Sequence, residues 1–169
     1  MNDATIIQAS LRDLTTLLSL ITDYHAWEEI PDPPNLVEAI EFLLAADHPG
    51  GFWIAWDGDR PVAYVAVTLR FSLAAGGDVL VIDELFVLEA ARNHGLGRRL
   101  IDTTHAYGAA IGCRELLLEV ANSNRTAQAF YAALGFTPRL RRCWERPILP
   151  MAAVASVGRY PPNTAVMLP

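Results

Sequence analysis

The sequence predicts an α/β (α+β) fold, a mixed twisted sheet of about six to seven strands with helices on both faces. Short runs rich in branched and aromatic residues, typical of strands, alternate with segments whose apolar residues recur at helical spacing. The run Glu115 to Ala121 is almost continuously apolar, which indicates a strand buried on both faces. The length of 169 residues and the 52% apolar composition suit one domain with a substantial core.

The first elements are a short strand, Thr5 to Ala9, and two helices. Ser10 can cap the first helix, which we expect to run to about Ala26, and Asp13 can reach back to complete a capping box. Three prolines within residues 31–34 then break the chain. The second helix is predicted from Leu36 to about Ala46, with leucine and isoleucine on its inner face.

The middle of the chain predicts three strands followed by the longest helix. The strands are Phe52 to Trp56, Val62 to Phe71 and Val79 to Leu88. An Asp-Gly pair between the first two is a strong hairpin signal. Apolar residues at helical spacing from Gly95 onward predict the helix, which Gly112 should end.

The last part of the chain completes the predicted sheet. The strand Glu115 to Ala121 is followed by a helix from Thr126 to Leu134, with Gly135 as its stop signal. Strands at Phe136 to Leu140 and Cys143 to Ile148 would close the sheet. We therefore predict one domain over residues 1–149 and a tail over residues 150–169, which has no periodicity and is either disordered or laid over the surface.

Charge and composition exclude several classes of function. The formal net charge of −6 argues against nucleic-acid binding, which needs a basic surface. No apolar run can span a bilayer and the N-terminus lacks a signal-peptide pattern, so we expect a cytoplasmic protein with no membrane partner. Cys113 and Cys143 do not have the spacing of metal ligands, and no metal is expected.

Residues 92–97, Arg-Asn-His-Gly-Leu-Gly, form a turn from a strand into a helix. Such a turn directs backbone N–H groups to one point beside the positive end of the helix dipole, which suits a phosphate. A lone glycine turn is a weak signal, because many such turns need glycine only for a positive φ. The P-loop and dinucleotide-binding patterns are both absent.

Two motifs together are more specific than the turn alone. The spacing Arg-x-x-Gly-x-Gly in the turn resembles the acetyl-CoA signature of the GNAT N-acetyltransferases. Residues 122–136 resemble the second signature of that family, an Asn, then Ala-x-x-Phe-Tyr, then Leu-Gly-Phe. The resemblance is strong from Gly51 to Trp144. It implies the GNAT fold, with a splayed central pair of parallel strands, and acetyl-CoA as the cosubstrate, with its pantetheine arm in the gap between them.

The resemblance also implies which residues contact the cosubstrate. Backbone N–H groups of the turn would bind the pyrophosphate, and backbone groups of the strand before it would bind the pantetheine. The family usually has Gly where Asn93 stands, and Asn tolerates the left-handed conformation next best. The predicted cofactor-binding residues are Leu85, Phe86, Val87, Arg92, Asn93, His94, Gly95, Leu96, Gly97, Arg98, Asn124 and Tyr131.

Acetyl transfer to an amine needs a group that takes the ammonium proton and a donor for the leaving thiolate. Tyr131 matches the family tyrosine that is proposed as the general acid. Asp83 and Glu84 stand where many relatives carry an acid that deprotonates the amine. Neighbouring strand residues point to opposite faces, so only one of them should face the acceptor. Glu84 is slightly favoured and Asp83 is the alternative, while both could instead be surface or structural carboxylates.

Tyr24, His25, Trp27, Glu28 and Glu29 end the first helix and enter the loop after it, in the region that walls the acceptor site in relatives. Of these, Tyr24, Trp27 and Glu28 are the predicted substrate-binding residues. Aromatic rings beside carboxylates suit a cation, although an ordinary helix end can look the same. The favoured hypothesis is an N-acetyltransferase that moves an acetyl group from acetyl-CoA directly to a small cationic amine. A protein lysine or N-terminal acetyltransferase and a non-catalytic acyl-CoA-binding regulatory module are the alternatives. The amine, the acyl chain length and a homodimer are left open.

Overall fold

The computed structural model describes residues 4–45, 49–139, 143–144 and 148. By its contacts the chain divides into two units, residues 1–135 and 136–169. All the helices and strands found among the described residues belong to the first unit. The domain boundary expected at residue 149 stays a prediction, and the tail over residues 150–169 lies outside the described residues.

The described residues form five strands and four α-helices. The strands are β1 (Thr5–Gln8), β2 (Gly51–Asp57), β3 (Arg60–Ser72), β4 (Gly77–Val87) and β5 (Glu115–Leu118). The helices are α1 (Leu14–Glu28), α2 (Leu36–Leu44), α3 (Leu96–Ala110) and α4 (Arg125–Ala133). Short 3₁₀ turns at Leu11–Asp13 and Glu89–Ala91 lead into α1 and towards α3. The order of elements is the predicted one up to residue 135. None of the helices in the described ranges is long and apolar enough to cross a membrane.

The strand count differs from the six to seven predicted. Phe136 to Arg139 and Cys143 to Trp144 are not strands, whereas Leu140 and residues 145–147 lie outside the described residues. Pro138 explains part of the difference, because proline has no N–H for a ladder and restricts the residue before it. β5 is also shorter than predicted and ends at Leu118.

The sheet has the order β1-β2-β3-β4-β5. The first three pairs are antiparallel and β4 with β5 is parallel. One face packs against α1 and α2 through an apolar cluster that includes Leu17, Ile40, Tyr64 and Phe86. The other face meets α3, where the rings of Trp53 and Tyr107 lie 4.8 Å apart. Helices therefore cover both faces, as predicted.

β4 contains a β-bulge at Asp83. Ile82 pairs with Val67 and Glu84 pairs with Ala66, so Asp83 is an extra residue without a partner on β3. The pairing of β4 with β5 begins at Val79 and stops at Ile82. β4 nevertheless continues to Val87 with only β3 beside it. The splay of the parallel pair thus begins at the bulge.

The bulge reverses the face on which the residues of β4 lie. Before it, Leu80 lies against Gly108 of α3. After it, Phe86 packs in the cluster with α1 and α2. Unbroken alternation would have placed these two side chains on the same face. Glu84 pairs with Ala66 of that cluster and shares the face of Phe86, as alternation predicted.

Candidate active site

The turn before α3 has the backbone shape that phosphate binding requires. Asn93 and Gly95 are both left-handed, with φ of 63° and 77°. The prediction that Asn93 tolerates this conformation is therefore confirmed. Gly95 is the N-cap of α3. Because glycine has no side chain, it makes no capping hydrogen bond to the first N–H groups of the helix. The N–H groups of the first turn, next to the positive end of the helix dipole, thus suit an anion.

Gly97 has a second role that the sequence does not indicate. A Cβ at this position would lie 3.1 Å from Cζ of Phe130, so α3 and α4 approach closely here. The Phe130 ring in turn lies 5.2 Å from the ring of Tyr131. Because Gly97 has no side chain, α4 can pack close to the turn. Tyr131, which is on α4, therefore lies near the turn as well.

Arg92 connects the turn to the end of α1. Its Nε donates a hydrogen bond of 2.9 Å to the Val87 carbonyl. Its guanidinium carbon lies 4.9 Å from the centre of the Trp27 ring and 5.9 Å from that of Phe86. The Leu88 N–H donates to β3, so the Val87 carbonyl points to the opposite edge, the one that β5 leaves open. Arg92 thus lines the gap at its α1 side.

The other side chains of the turn differ in burial. Leu96 is 1% exposed, so only its backbone can reach a ligand. His94 is exposed, and its Nδ1 lies 2.6 Å from the Arg92 carbonyl, as expected of a loop residue. Arg98 is exposed on the first turn of α3, whereas Arg99 donates to the Ala4 carbonyl at 2.5 Å.

Asn124 is the N-cap of α4. Its Oδ1 accepts a hydrogen bond of 3.0 Å from the Ala127 N–H. This contact explains why an asparagine begins the helix that carries Tyr131. Its predicted contact with the cosubstrate stays a prediction.

A hydrogen-bonded chain of four side chains, which we call the His25 network, crosses from α1 to the sheet. His25 Nδ1 lies 2.6 Å from Asp32 Oδ1, and its Nε2 lies 2.9 Å from Glu84 Oε1. The Tyr64 hydroxyl donates to Glu84 Oε2 at 2.6 Å. His25 is 6% exposed and Tyr64 is fully buried. Glu84 is therefore held through both of its oxygens.

Asp32 and Tyr64 are not among the residues predicted for the site, and His25 was predicted only as part of the region that walls it. One signal was available, because His25 falls on the buried stripe of α1, four residues after Ile21. A polar ring on an apolar stripe needs a buried partner. No local pattern names that partner, since Glu84 is 59 residues away.

The end of α1 explains how Asp32 reaches His25. Glu29 ends the helix in a left-handed conformation, with φ of 58°, and the Ile30 N–H donates to the His25 carbonyl at 2.8 Å. This hydrogen bond reverses the chain direction. The prolines at 31 and 33 then restrict the segment that carries Asp32.

Tyr24 lies among the residues predicted for the acceptor and for catalysis. Burial, then the charges of Glu28 and Glu84, the Tyr131 phenol and the charge of Asp83, together raise its pKa to about 12. The residues predicted for the acceptor and for catalysis therefore come together here from α1, β4 and α4. Trp27 borders the same cluster, with its ring 6.2 Å from that of Phe86.

The carboxylate pair lies at the bulge, which interrupts alternation at Asp83. The charges of both Asp83 and Glu84 raise the pKa of Tyr24. That only one of the two faces the acceptor stays a prediction.

Several other titrating groups of the cluster are perturbed. Burial, then the charges of Glu84 and Glu119, raise the pKa of Asp83. Burial and the charge of Glu28 raise the pKa of Tyr131, so its phenol is protonated at neutral pH. Glu119 follows the end of β5, so carboxylates stand on both strands where the gap opens. Within the described ranges, no group of three or more His, Cys, Asp or Glu side chains is arranged to hold a metal.

Burial lowers the pKa of His25, but its hydrogen bonds to Glu84 and Asp32 raise it by more, and the net shift is upward. Burial and the charge of Glu84 raise the pKa of Tyr64 strongly, which keeps its hydroxyl protonated. The Tyr64 hydroxyl is thus a stable donor to Glu84 at neutral pH.

The chain was compared with protein families and with known proteins. The model of the acetyltransferase (GNAT) family matches residues 14–136, a range that contains both the turn and the His25 network. Aminoglycoside N(6')-acetyltransferase type 1 of Salmonella typhimurium is 30% identical over 113 residues, which cover 65% of this chain and 77% of that protein.

Solved structures show the same fold. Aminoglycoside N-acetyltransferase AAC(6')-Iy in complex with CoA superposes with a TM-score of 0.73 at 26% identity, over 85% of this chain and 94% of that one. The integron cassette protein HFX_CASS3, from a salt-marsh metagenome, has a TM-score of 0.76 at 26% identity, over 86% of this chain and 91% of that one.

Proposed function

Because the chain belongs to the acetyltransferase (GNAT) family, and is therefore an N-acetyltransferase that uses acetyl-CoA, we propose that its acceptor is a small amine carrying positive charge. The observation that carries this proposal is the concentration of carboxylates around Tyr24. The charges of Glu28, Asp83 and Glu84 raise the pKa of Tyr24, and the charge of Glu119 raises the pKa of Asp83. Carboxylates and aromatic faces attract an ammonium group. The relatives named for aminoglycosides, a class of amino sugars, support the same class of acceptor.

Acetyl-CoA supplies the acetyl thioester, and the chain offers two regions that fit it. The backbone N–H groups of residues 93–98 would hold the pyrophosphate, because the left-handed turn and the start of α3 suit an anion. No strand of the described residues lies beside β4 beyond Ile82, so backbone groups at this edge would hold the pantetheine amides. The Val87 carbonyl at the same edge already accepts a hydrogen bond from Arg92. Asn124 and Tyr131 on α4 complete the set of residues that we assign to the cosubstrate.

We assign removal of the ammonium proton to Asp83 and attraction of the ammonium to Glu84. Both oxygens of Glu84 are already engaged by His25 and Tyr64. The Asp83 carboxylate makes no hydrogen bond to another described residue, and its pKa is raised. A carboxylate whose pKa is raised towards the working pH is a better general base. This division reverses the order that was slightly favoured from the sequence.

Tyr131 is the donor for the leaving sulfur. Its phenol is protonated at neutral pH because burial and the charge of Glu28 both raise its pKa. The acetyl group moves straight to the amine, since neither signature contains a cysteine that could carry it. In that step the bond from amine nitrogen to acetyl carbon forms, the bond to sulfur breaks, and the sulfur receives a proton.

A panel of amines, followed by the release of free CoA thiol, tests the acceptor class. The panel contains an aminoglycoside, a polyamine, a hydroxyalkyl amide of polyamine length whose single amine is its only cationic group, and peptides with a lysine or a free N-terminus. We expect the highest kcat/KM for a small polycation, with a fall as salt rises because added ions screen the acidic cluster.

Two outcomes contradict the proposal in different ways. Preferred acetylation of the peptides would assign the chain to protein substrates. Tight acetyl-CoA binding without turnover of any amine would favour the regulatory module. A homodimer and a cytoplasmic location stay predictions, which sedimentation and cell fractionation test.

A further inference from the structure

We propose that His25 and Asp32 are positioning residues, in which a doubly protonated His25 ring bridges the carboxylates of Asp32 and Glu84 and holds Glu84 in place for the acceptor. The inference rests on the proposed function, because Glu84 is assigned there to attracting the ammonium. It goes beyond the proposed function because it assigns His25, on the buried face of α1, a part in acceptor binding.

The protonation state of the ring follows from its two contacts. Its nitrogens lie 2.6 Å from Asp32 Oδ1 and 2.9 Å from Glu84 Oε1. An ionised carboxylate can only accept hydrogen bonds, and a neutral imidazole donates from one nitrogen only. Between two ionised carboxylates, both contacts are hydrogen bonds only if both nitrogens carry a proton.

The second ring proton of the His25 network stays on the His25 imidazole and does not belong to the carboxyl group of Asp32 or Glu84. Glu84 also accepts from the buried Tyr64 hydroxyl at 2.6 Å, and two donors favour an ionised carboxylate. The side chain of Asp32 is 47% exposed, so water stabilises its charge. The pKa shift of His25 has the same sign, because its hydrogen bonds to Glu84 and Asp32 outweigh burial.

The network fixes the direction of the Glu84 carboxylate. Each of its oxygens has its own donor, one from α1 and one from β3. Both donors are themselves held in the core, since His25 and Tyr64 are buried. A glutamate has three side-chain torsions, and fixing them before the acceptor arrives removes an entropic cost from binding and from transfer.

The groups around the network come from every element packed on it. Tyr24 and Glu28 are on α1, Tyr64 is on β3, Asp83 is beside Glu84 on β4, and Tyr131 is on α4. The buried residues of α2 that face this cluster are the apolar Ile40 and Leu44. The His25 imidazolium therefore lies between two carboxylates, with Asp32 on one side and Glu84 on the other.

The protonation state is tested by NMR of the full-length protein labelled with ¹⁵N-histidine. The chain has four histidines, and the His25 signals are assigned by their loss in His25→Gln. We expect both His25 ring nitrogens to be protonated at pH 7, with an apparent pKa above the ordinary value of about 6.5. Asp32→Asn should lower that pKa. Asp23→Asn, an equal charge change on the exposed face of α1, should not.

The positioning role is tested by kinetics on the same variants. His25→Gln and Asp32→Asn should reduce kcat/KM for the amine about 10- to 100-fold and shift its pH profile, with unchanged affinity for acetyl-CoA. Gln keeps one donor towards Glu84, so His25→Gln should retain more activity than His25→Leu. Asp23→Asn should behave like the unmodified protein.

A neutral His25 ring at pH 7, or identical titrations in Asp32→Asn and Asp23→Asn, overturns the bridge. Equal losses of activity in Gln and Leu variants, in step with their melting temperatures, overturn the positioning role. If no amine is acetylated by the unmodified protein, the proposed function fails, and the NMR titration still decides whether the bridge exists.

Discussion

The glycine turn and the His25 network, to which we assign the cosubstrate and the acceptor, are built differently. The turn consists of consecutive residues, and its useful groups are backbone N–H groups set by left-handed Asn93 and Gly95. The network consists of side chains from α1, the loop after it, β3 and β4. A backbone site tolerates any side chain that keeps its conformation, whereas a side-chain site responds to the change of a single atom. The predictions below test this difference, beginning with the largest effect.

Asp83→Asn should cause the largest loss on the acceptor side. General base catalysis is worth roughly 10²- to 10⁴-fold, and we expect kcat/KM for the amine to fall by that amount. Activity should rise with pH as Asp83 loses its proton, and its raised pKa places this rise above the ordinary range of an aspartate. Glu119→Gln removes one cause of the upward shift and should move the rise to lower pH. If activity still rises with pH in Asp83→Asn but no longer does so in Glu84→Gln, Glu84 is the general base and Asp83 attracts the ammonium.

Tyr131→Phe should have a smaller effect, about 10²-fold or less, because thiolate is a fairly good leaving group. The loss should appear in kcat and kcat/KM together, while acetyl-CoA binds normally, since the hydroxyl acts only in the transition state. Tyr107→Phe is the matched control, because that hydroxyl donates to the Pro49 carbonyl. Unaltered turnover in Tyr131→Phe would make the phenol a packing group.

On the cofactor side, a negative charge in the turn should weaken acetyl-CoA binding. Any Cβ at Gly97 meets Phe130, so Gly97→Glu alone mixes packing with charge. Gly97→Gln adds the same bulk without the charge. We expect Gly97→Glu to bind acetyl-CoA about tenfold more weakly than Gly97→Gln in calorimetry at low salt. Equal affinities of the two folded variants would remove the pyrophosphate from this turn.

The His25 network should also make stability depend on pH. Its hydrogen bonds raise the pKa of folded His25 above the unfolded value of about 6.5. The stabilisation is therefore complete below pH 6.5 and is lost as pH rises through the folded pKa. Thermal unfolding of Asp32→Asn should differ most from the unmodified protein near pH 6 and least near pH 9. A difference that grows with pH would contradict the sign, and Asp23→Asn is the control.

The smallest effect compares two non-glycine residues that have positive φ in the described part of the chain, one after α1 and one before α3. Glu29 has φ of 58° and Asn93 has φ of 63°. A left-handed conformation costs most residues roughly 1 kcal/mol, but Asn tolerates it. Glu29→Gly should therefore raise the free energy of unfolding by up to about 1 kcal/mol, and Asn93→Gly should change it less. Denaturant unfolding measures both, and a destabilised Glu29→Gly would reveal a contact of the Glu29 side chain.

Local sequence predicted the parts of the molecule that depend on local interactions. The capping box is one, since the Ser10 N–H donates to Asp13 Oδ2 at 2.8 Å. The left-handed Asn93 and the capping Asn124 are others. The order of elements up to Gly135 also followed from periodicity and stop signals.

The rest depends on contacts between distant residues. The bulge was not predicted, because the residues of β4 before it, Val79 to Ile82, are apolar on both faces and show no alternation that a bulge could break. His25 and Glu84 meet only after α1 packs on the sheet. Which side chains meet across the gap was therefore not predictable from spacing.

The bulge at Asp83 adds one residue to β4 at the point where the gap between β4 and β5 opens. Ile82 and Glu84 already pair with consecutive residues of β3, so removing residue 83 would leave a regular ladder with both side chains on their present faces. We expect the same deletion to let β5 pair further along β4 and to narrow the gap, because the pairing now stops at Ile82, directly before the bulge. One extra residue in β4 would thus account for both the gap between two strands and the carboxylate beside it. The deletion variant, set beside Asp83→Asn, separates the gap from its charge.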